Sequence, residues 1–67
     1  MKTKEQLTIF ERDFLQLAKH FIVTGESMTV QHNKVRLTVT QSQTQTSYVY
    51  QMMEDDRKLI YTEEEVF

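Results

Sequence analysis

The ten residues Phe21–Val30, FIVTGESMTV, mark the point at which the pattern of apolar residues in this chain changes. At their centre lies Gly25, the only glycine among 67 residues. Before Gly25, apolar side chains recur at three- and four-residue steps, which places them on one stripe of a helix. After it, they recur mostly at every second residue, which places them on one face of a sheet. The sequence therefore predicts an α+β fold, with one helix and a set of antiparallel strands that share a single core.

The predicted helix covers approximately residues 4–23. Thr3 and Gln6 have the spacing of a capping box at its start, and Gly25 suits a left-handed cap at its end. Leu15 and Ile22 lie at one margin of the apolar stripe, and Ile9 lies on the opposite side of the helix. The stripe itself consists of Leu7, Phe10, Phe14, Leu17, Ala18 and Phe21.

Four strands are predicted after Gly25, giving the order α-β-β-β-β, with the helix packed on one face of an antiparallel meander. Their approximate ranges are 27–32, 34–41, 46–53 and 58–64. The predicted registers set Val30 opposite Val35, Val39 opposite Tyr48, which also pairs Leu37 with Tyr50, and Met52 opposite Leu59. These registers place most apolar strand residues on one shared face, and such mutual agreement favours the arrangement.

The second face of the predicted sheet is mostly polar, as is common where one face of an antiparallel sheet meets water. It would carry Thr29, Gln31, Arg36, Thr38, Thr40, Val49, Gln51, Met53, Ile60 and Thr62. Val49, Met53 and Ile60 are the apolar exceptions, and Ile9 adds an apolar residue on the outer side of the helix. A contiguous apolar patch on a surface indicates an interface. We therefore identify Val49, Met53, Ile60 and Ile9 as candidate interface residues.

No pattern in the sequence indicates catalysis, a cofactor or a metal ion. The chain has no cysteine, and its two histidines, His20 and His32, lie in no cluster with the spacing of metal ligands. A single glycine does not supply a phosphate-binding loop. Asp55 and Asp56 are interpreted as a charged turn. We therefore expect a protein that is not an enzyme, with no catalytic residue, no cofactor and no metal site.

The charge of the chain is unevenly distributed. Residues 1–41 carry a net charge of +2 and residues 42–67 a net charge of −4, so that the whole chain carries −2. Glu63, Glu64 and Glu65 form a candidate acidic contact for a basic partner. One alternative hypothesis is therefore an accessory regulator or inhibitor from a phage or mobile element, which acts through this acidic half.

A second alternative hypothesis is nucleic-acid binding through the sheet, by Arg36, Tyr48 and Tyr50. The acidic second half of the chain would repel phosphate, so we do not expect a nucleic acid as partner.

The leading hypothesis is a small protein–protein interaction module with a protein partner, a second copy of the chain being the first candidate. Residues 1–67 make one small domain, which has no disulfide to stabilise it, and oligomerisation is the remaining common source of additional burial. No apolar run reaches the length of a membrane span. We therefore expect a cytoplasmic homodimer that does not contact a membrane.

Overall fold

A computed structural model of the chain describes residues 1–22 and 25–67. Within these two ranges, one short 3-10 turn and one α-helix precede four strands, which form an antiparallel sheet in the order β1-β2-β3-β4. The predicted α+β fold, a helix on a four-stranded meander, is therefore confirmed. The elements are the 3-10 turn Lys4–Gln6, α1 (Ile9–Phe21), β1 (Ser27–His32), β2 (Val35–Gln43), β3 (Ser47–Glu54) and β4 (Lys58–Val66).

Two successive capping boxes build the start of the helical segment. The predicted box of Thr3 and Gln6 is present, but it opens only the 3-10 turn. Helix α1 begins at a second box, in which the Glu11 amide donates to Thr8 Oγ1 at 3.1 Å and the Thr8 amide donates to Glu11 Oε1 at 2.8 Å. Helix α1 ends at Phe21, and the predicted end at Val23 lies outside the described residues.

The first two hairpins have the predicted faces but not the predicted registers. Val30 lies opposite Leu37 instead of Val35, and Val39 lies opposite Met52 instead of Tyr48. The predicted pairing of Leu37 with Tyr50 is therefore wrong. Because side chains alternate with a period of two, shifts of two and four residues keep every side chain on its face. Apolar alternation alone therefore could not distinguish these registers.

The turns are what fix the registers. Asn33 and Lys34 both have positive φ, 52° and 63°, which is the conformation of a two-residue type I′ hairpin turn. The predicted turn was centred one residue earlier, on His32 and Asn33. His32 instead belongs to β1, where it lies opposite Val35.

The third hairpin contains a β-bulge, which changes the face of one predicted surface residue. Met53 lies opposite Leu59, whereas Met52 lies opposite Tyr61, so that Ile60 is the additional residue of β4. A bulge bends its strand and redirects side chains, and both Ile60 and Tyr61 are buried here. The prediction that Ile60 lies on the open face of the sheet is therefore wrong.

The core lies between α1 and the covered face of the sheet, and its buried apolar residues are Leu7, Phe14, Leu15, Ala18, Leu37, Val39, Tyr50, Met52, Ile60 and Tyr61. Helix α1 is rotated relative to the predicted stripe. Leu15, predicted at the margin, is only 1% exposed, whereas Leu17 and Phe21, predicted in the stripe, are 49% and 61% exposed. This rotation leaves apolar side chains uncovered on one side of α1.

Candidate protein-interaction surface

Strand β1 forms one edge of the sheet. The hydrogen bonds of its neighbour β2 show which backbone amides and carbonyls of β1 point away from the sheet. The Arg36 amide donates to Asp55 Oδ1 at 2.9 Å, and the Arg36 carbonyl accepts from the Asp55 amide at 2.8 Å. Both groups therefore face β3, away from β1. Gln31, which lies opposite Arg36, is consequently in a non-hydrogen-bonded pair, and its own amide and carbonyl point away from the sheet.

The same alternation assigns the rest of β1. Ser27 and Thr29 share the orientation of Gln31, and the two-residue turn after His32 requires that His32 and Val35 be hydrogen-bonded to each other. We refer to the amides and carbonyls of Ser27, Thr29 and Gln31 as the outer edge of β1. Within residues 1–22 and 25–67, no backbone or side-chain group is hydrogen-bonded to them.

An apolar surface lies beside this edge, and we name it the apolar margin: Phe10, Leu17, Phe21, Met28 and Val30. A groove of about 200 Å³ between α1 and β1 is lined by Phe10, Asp13, Phe14, Leu17 and Val30, of which Asp13 is the one charged residue. Phe21 lies one turn beyond Leu17, on the same side of α1. Met28 and Val30 are half-buried on the covered face of β1. The apolar margin therefore lies beside the outer edge of β1, whose amides and carbonyls have no hydrogen-bond partner among the described residues.

The opposite edge of the sheet, at β4, is protected in three ways. The bulge at Ile60 interrupts the strand, the Lys2 amide donates to the Ile60 carbonyl at 2.8 Å, and β4 carries the charged run Glu63–Glu65. Bulges, covering segments and charges are the means by which proteins prevent pairing at an exposed edge. Strand β1, with the sequence SMTVQH, contains no lysine, proline or acidic residue. The two edges therefore differ in their capacity to accept a further strand.

The structure does not bring the four predicted interface residues together. Val49 and Met53 are half-buried on the open face of β3, where Leu59, which the predicted register had placed in the core, lies opposite Met53. Ile60 lies in the core, and Ile9 is 79% exposed on α1. The sequence instead predicts the residues of the apolar margin to lie in the core. The sequence feature that could have indicated this surface is the absence of lysine, proline and acidic residues in β1, which identifies an unprotected edge strand.

The acidic residues Glu63, Glu64 and Glu65 are part of β4 and contact other residues of the chain. Lys19 forms ion pairs with Glu63 and, at 2.9 Å, with Glu65. Tyr61 Oη donates to Glu63 Oε1 at 2.8 Å, and Ser47 Oγ donates to Glu64 Oε2 at 2.6 Å. These carboxylates therefore contribute to the attachment of α1 to β4 and to the pairing of β3 with β4.

The pKa values of this cluster indicate that Lys19 and Glu63 remain charged at neutral pH. Burial raises the pKa of Glu63, but Lys19 and Tyr61 outweigh burial and leave that pKa below its ordinary value. Burial lowers the pKa of Lys19, but Glu63 and Glu65 outweigh it and leave that pKa above its ordinary value. Burial, together with the neighbouring Glu63, raises the pKa of Tyr61 to about 12.

A second cavity, of about 250 Å³, lies between the start of α1 and the tip of the first hairpin, and Glu11, His32 and Glu54 line it. Glu11 is held by Lys2 Nζ at 2.9 Å, and His32 is stacked on Phe10 with ring centroids 3.7 Å apart. Burial raises the pKa of Glu11, but the Thr8 amide and Lys2 outweigh burial and leave that pKa below its ordinary value. Glu11 therefore acts as a capping carboxylate at the start of α1.

The residues considered for nucleic-acid binding do not converge. Tyr50 is buried in the core, where Gln41 Nε2 donates to its hydroxyl at 2.9 Å, and Tyr48 lies against Phe67. Arg36 lies on the open face and is ion-paired with Asp56. The two tyrosines thus lie on the covered side of the sheet, and Arg36 lies on the other.

Comparison with known proteins finds no matching family model, no matching curated protein and no matching solved structure. In the part of the chain that the structure describes, no helix combines the length and the apolar character needed to cross a membrane. Within the same part, no group of three or more histidine or acidic side chains is placed to hold a metal ion.

Proposed function

We propose that this chain is a small, non-enzymatic protein–protein interaction module that self-associates through the outer edge of β1 and the apolar margin. The observation that carries the proposal is the outer edge itself, where three consecutive outward-facing residues have no described partner. An exposed edge strand is a template for pairing with another chain. Strand addition at such an edge is a recurrent mode of protein recognition, in which backbone hydrogen bonds give affinity and neighbouring side chains give specificity.

The distribution of charge around β1 supports a second copy as the occupant. Glu26 immediately precedes the strand, whereas His32 ends it and Lys34 follows in the turn. When two copies of one strand pair in antiparallel fashion, the beginning of each lies beside the end of the other. The acidic end of β1 would thus meet the basic end of its copy, which is complementary charge at both ends of the interface.

The size of the chain also supports self-association. A domain of about 60 residues buries only about 60% of the surface that its unfolded chain exposes, so its core supplies limited stability. Leu17 and Phe21 are large apolar residues that remain about half or more exposed. Covering them with the same residues of a second copy adds apolar burial at roughly 25 cal/mol per Å².

Light scattering across a range of concentrations tests this proposal. We expect a dimer mass at high micromolar to millimolar concentration, and we expect the double variant Leu17→Gln/Phe21→Gln to dissociate at least tenfold more readily. Ile9→Gln is the control, because Ile9 is an apolar residue of α1 outside the apolar margin and is more exposed than Leu17 or Phe21. A wild-type protein that remains monomeric up to millimolar concentration would rule out self-association.

The two alternative functions receive less support from the observed contacts. An acidic docking surface would have to draw on Glu63 and Glu65, which are ion-paired with Lys19. A nucleic-acid surface on the open face would depend on Arg36, which is ion-paired with Asp56. Each use would require breaking an internal ion pair, whereas the outer edge of β1 requires no such rearrangement.

A further inference from the structure

From the geometry of β1 we infer the register of the interface: two copies of β1 pair in antiparallel fashion about a two-fold axis at Thr29. This inference rests on the proposed self-association and specifies how the second copy is bound. In an antiparallel pair with two-fold symmetry, one residue must lie opposite the same residue of the copy. If the axis fell between two residues, the two neighbouring pairs that it relates would have to be identical, whereas neighbouring pairs in an antiparallel ladder alternate between hydrogen-bonded and non-hydrogen-bonded. In a strand that spans Ser27–His32, the registers centred on Thr29 and Val30 each pair five residues of β1 with the copy, whereas a register centred on Met28 pairs three.

Backbone hydrogen bonding favours the register centred on Thr29. It sets Thr29 opposite Thr29 of the partner subunit and Ser27 opposite Gln31 of the partner subunit. Every residue of the outer edge then both donates and accepts a hydrogen bond across the interface. Moving the centre to Met28 leaves Gln31 without a partner in β1 of the other copy, and moving it to Val30 leaves Ser27 without one.

The side chains on the covered face favour the same register. Centring on Thr29 sets Met28 opposite Val30 of the partner subunit, which is an apolar pair directly beside the apolar margin. It also sets the carboxylate of Glu26 opposite the imidazole of His32 of the partner subunit. A centre at Met28 would instead set Val30 opposite Glu26 of the partner subunit, and a centre at Val30 would set Met28 opposite His32 of the partner subunit. Both alternatives oppose an apolar side chain to a polar one.

The inferred register has a consequence for the whole assembly. The two four-stranded sheets join into one continuous sheet, with both α1 helices on the same side. The apolar margins of the two copies then face each other across the two-fold axis, and Leu17 and Phe21 fill the space between the helices. The open faces combine into one broad polar surface on the other side.

A cysteine scan of β1 tests the register, and the absence of native cysteine makes each variant a single-cysteine protein. Ser27, Met28, Thr29, Val30 and Gln31 are each replaced by cysteine, and the proteins are oxidised mildly at a concentration where the wild type is dimeric. Thr29→Cys is expected to form the disulfide-linked dimer, because directly opposed hydrogen-bonded residues have Cα atoms about 5.5 Å apart, within the range that a disulfide spans.

The other four variants are expected to remain unlinked. Ser27 and its copy would be offset by four residues, or about 13 Å along the strand, and so would Gln31 and its copy. Met28 and Val30 would each lie diagonal to their copies at roughly 7–8 Å, which is beyond the reach of a disulfide. A mixture of Ser27→Cys and Gln31→Cys proteins is the positive control, and it should give a mixed disulfide although neither protein links with itself.

The outcomes separate the register from the function. Linkage of Met28→Cys or Val30→Cys in place of Thr29→Cys would overturn the register and leave self-association at β1 intact. A dimer by light scattering with no linkage at any of the five positions would place the interface elsewhere and overturn the inference. A monomer at all concentrations would remove both the register and the proposed function.

Discussion

Lys19 is the residue that joins α1 to the far strand of the sheet. Its ammonium group is largely buried between Glu63 and Glu65, and it also lies 5.5 Å from the ring centre of Tyr50. Burying a charge is unfavourable unless it is paired, so the removal of either partner leaves the other uncompensated. This cluster makes the stability of the fold dependent on pH.

Replacement of Lys19 by glutamine is expected to lower the free energy of unfolding at neutral pH by about 1–3 kcal/mol, because Glu63 is then left partly buried without its cation. Urea denaturation followed by circular dichroism measures the change. Lys34→Gln removes an exposed lysine and is the matched control, which should change stability by less than about 0.5 kcal/mol. Equal effects of the two substitutions would contradict the structural role assigned to Lys19.

Acidification is expected to weaken the fold through Glu63. Because its pKa is lower in the folded chain than its ordinary value of 4.5, the stability that it contributes is present above that value and is lost as pH falls through the folded pKa. Glu63→Gln should therefore reduce the dependence of unfolding free energy on pH below about 4.5. A dependence identical to that of the wild type would show that the carboxylate of Glu63 is not stabilised by Lys19.

Tyr61 supplies a second titration. Its pKa of about 12 means that the folded chain resists ionisation of this hydroxyl, so stability is lost as pH rises from about 10 towards 12. Absorbance of tyrosinate near 295 nm should show a component from Tyr61 that titrates near pH 12. The variant Tyr61→Phe should lack that component, and its persistence would assign the component to another tyrosine.

At the scale of the elements, the turn between β1 and β2 determines which backbone groups of β1 face away from the sheet. The two-residue turn at Asn33 and Lys34 fixes the register of β1 against β2, and this register decides that Ser27, Thr29 and Gln31 form the outer edge. Lys34 has φ 63°, in the left-handed region that glycine adopts without steric cost. The sequence Asn-Gly is the most favourable one for this turn.

Lys34→Gly is expected to stabilise the fold by about 0.5 kcal/mol, because glycine adopts the left-handed conformation without steric strain. The greater conformational entropy of glycine in the unfolded chain offsets part of this gain. Thermal or urea unfolding measures it. Lys34→Ala removes the same charge without relieving the strain, and it should not stabilise. If alanine stabilised as much as glycine, the effect would belong to the charge and not to the turn.

Proline substitutions test which side of β1 each amide faces. Thr29→Pro removes an amide that points outward, so the monomer should retain its fold while dimerisation is lost. Val30→Pro removes an amide that is bonded to Leu37 across the hairpin, so it should destabilise the monomer itself. Circular dichroism and light scattering on both variants give the comparison. A folded Val30→Pro monomer with an unfolded Thr29→Pro variant would reverse the assignment of the edge.

The element order and the faces of most strand residues were predictable because they depend on periodicity, and the turns and the bulge were not. Val30, Leu37 and Met52 keep their faces through even shifts of register, so no alternation of apolar residues could locate Leu37 opposite Val30. The bulge makes Ile60 an additional residue and moves Leu59 by one position, from Met52 to Met53, and nothing in the sequence KLIYT marks the bulge. The apolar margin could not be predicted from periodicity either, because Leu17 and Phe21 belong to the same helical stripe as residues that are buried in the core.

At the scale of the whole molecule, one helix covers a four-stranded sheet incompletely. The buried apolar residues of the sheet belong to β2, β3 and β4, and Lys19 of α1 is ion-paired with Glu63 of β4. The side of the sheet at β1 is consequently left with half-buried Met28 and Val30 beneath exposed Leu17 and Phe21. A second copy placed across this side completes both the sheet and the apolar layer above it.

Amide hydrogen exchange at Thr29 shows directly whether the outer edge of β1 is hydrogen-bonded to a second copy. Val30 is the internal reference, because its amide faces β2 and should be protected at every concentration. The Thr29 amide is expected to exchange rapidly in dilute protein and to become protected as the concentration rises through the dissociation constant of the dimer. If the Thr29 amide exchanged as an exposed amide in fully dimeric protein, the two copies would not be paired through the outer edge of β1.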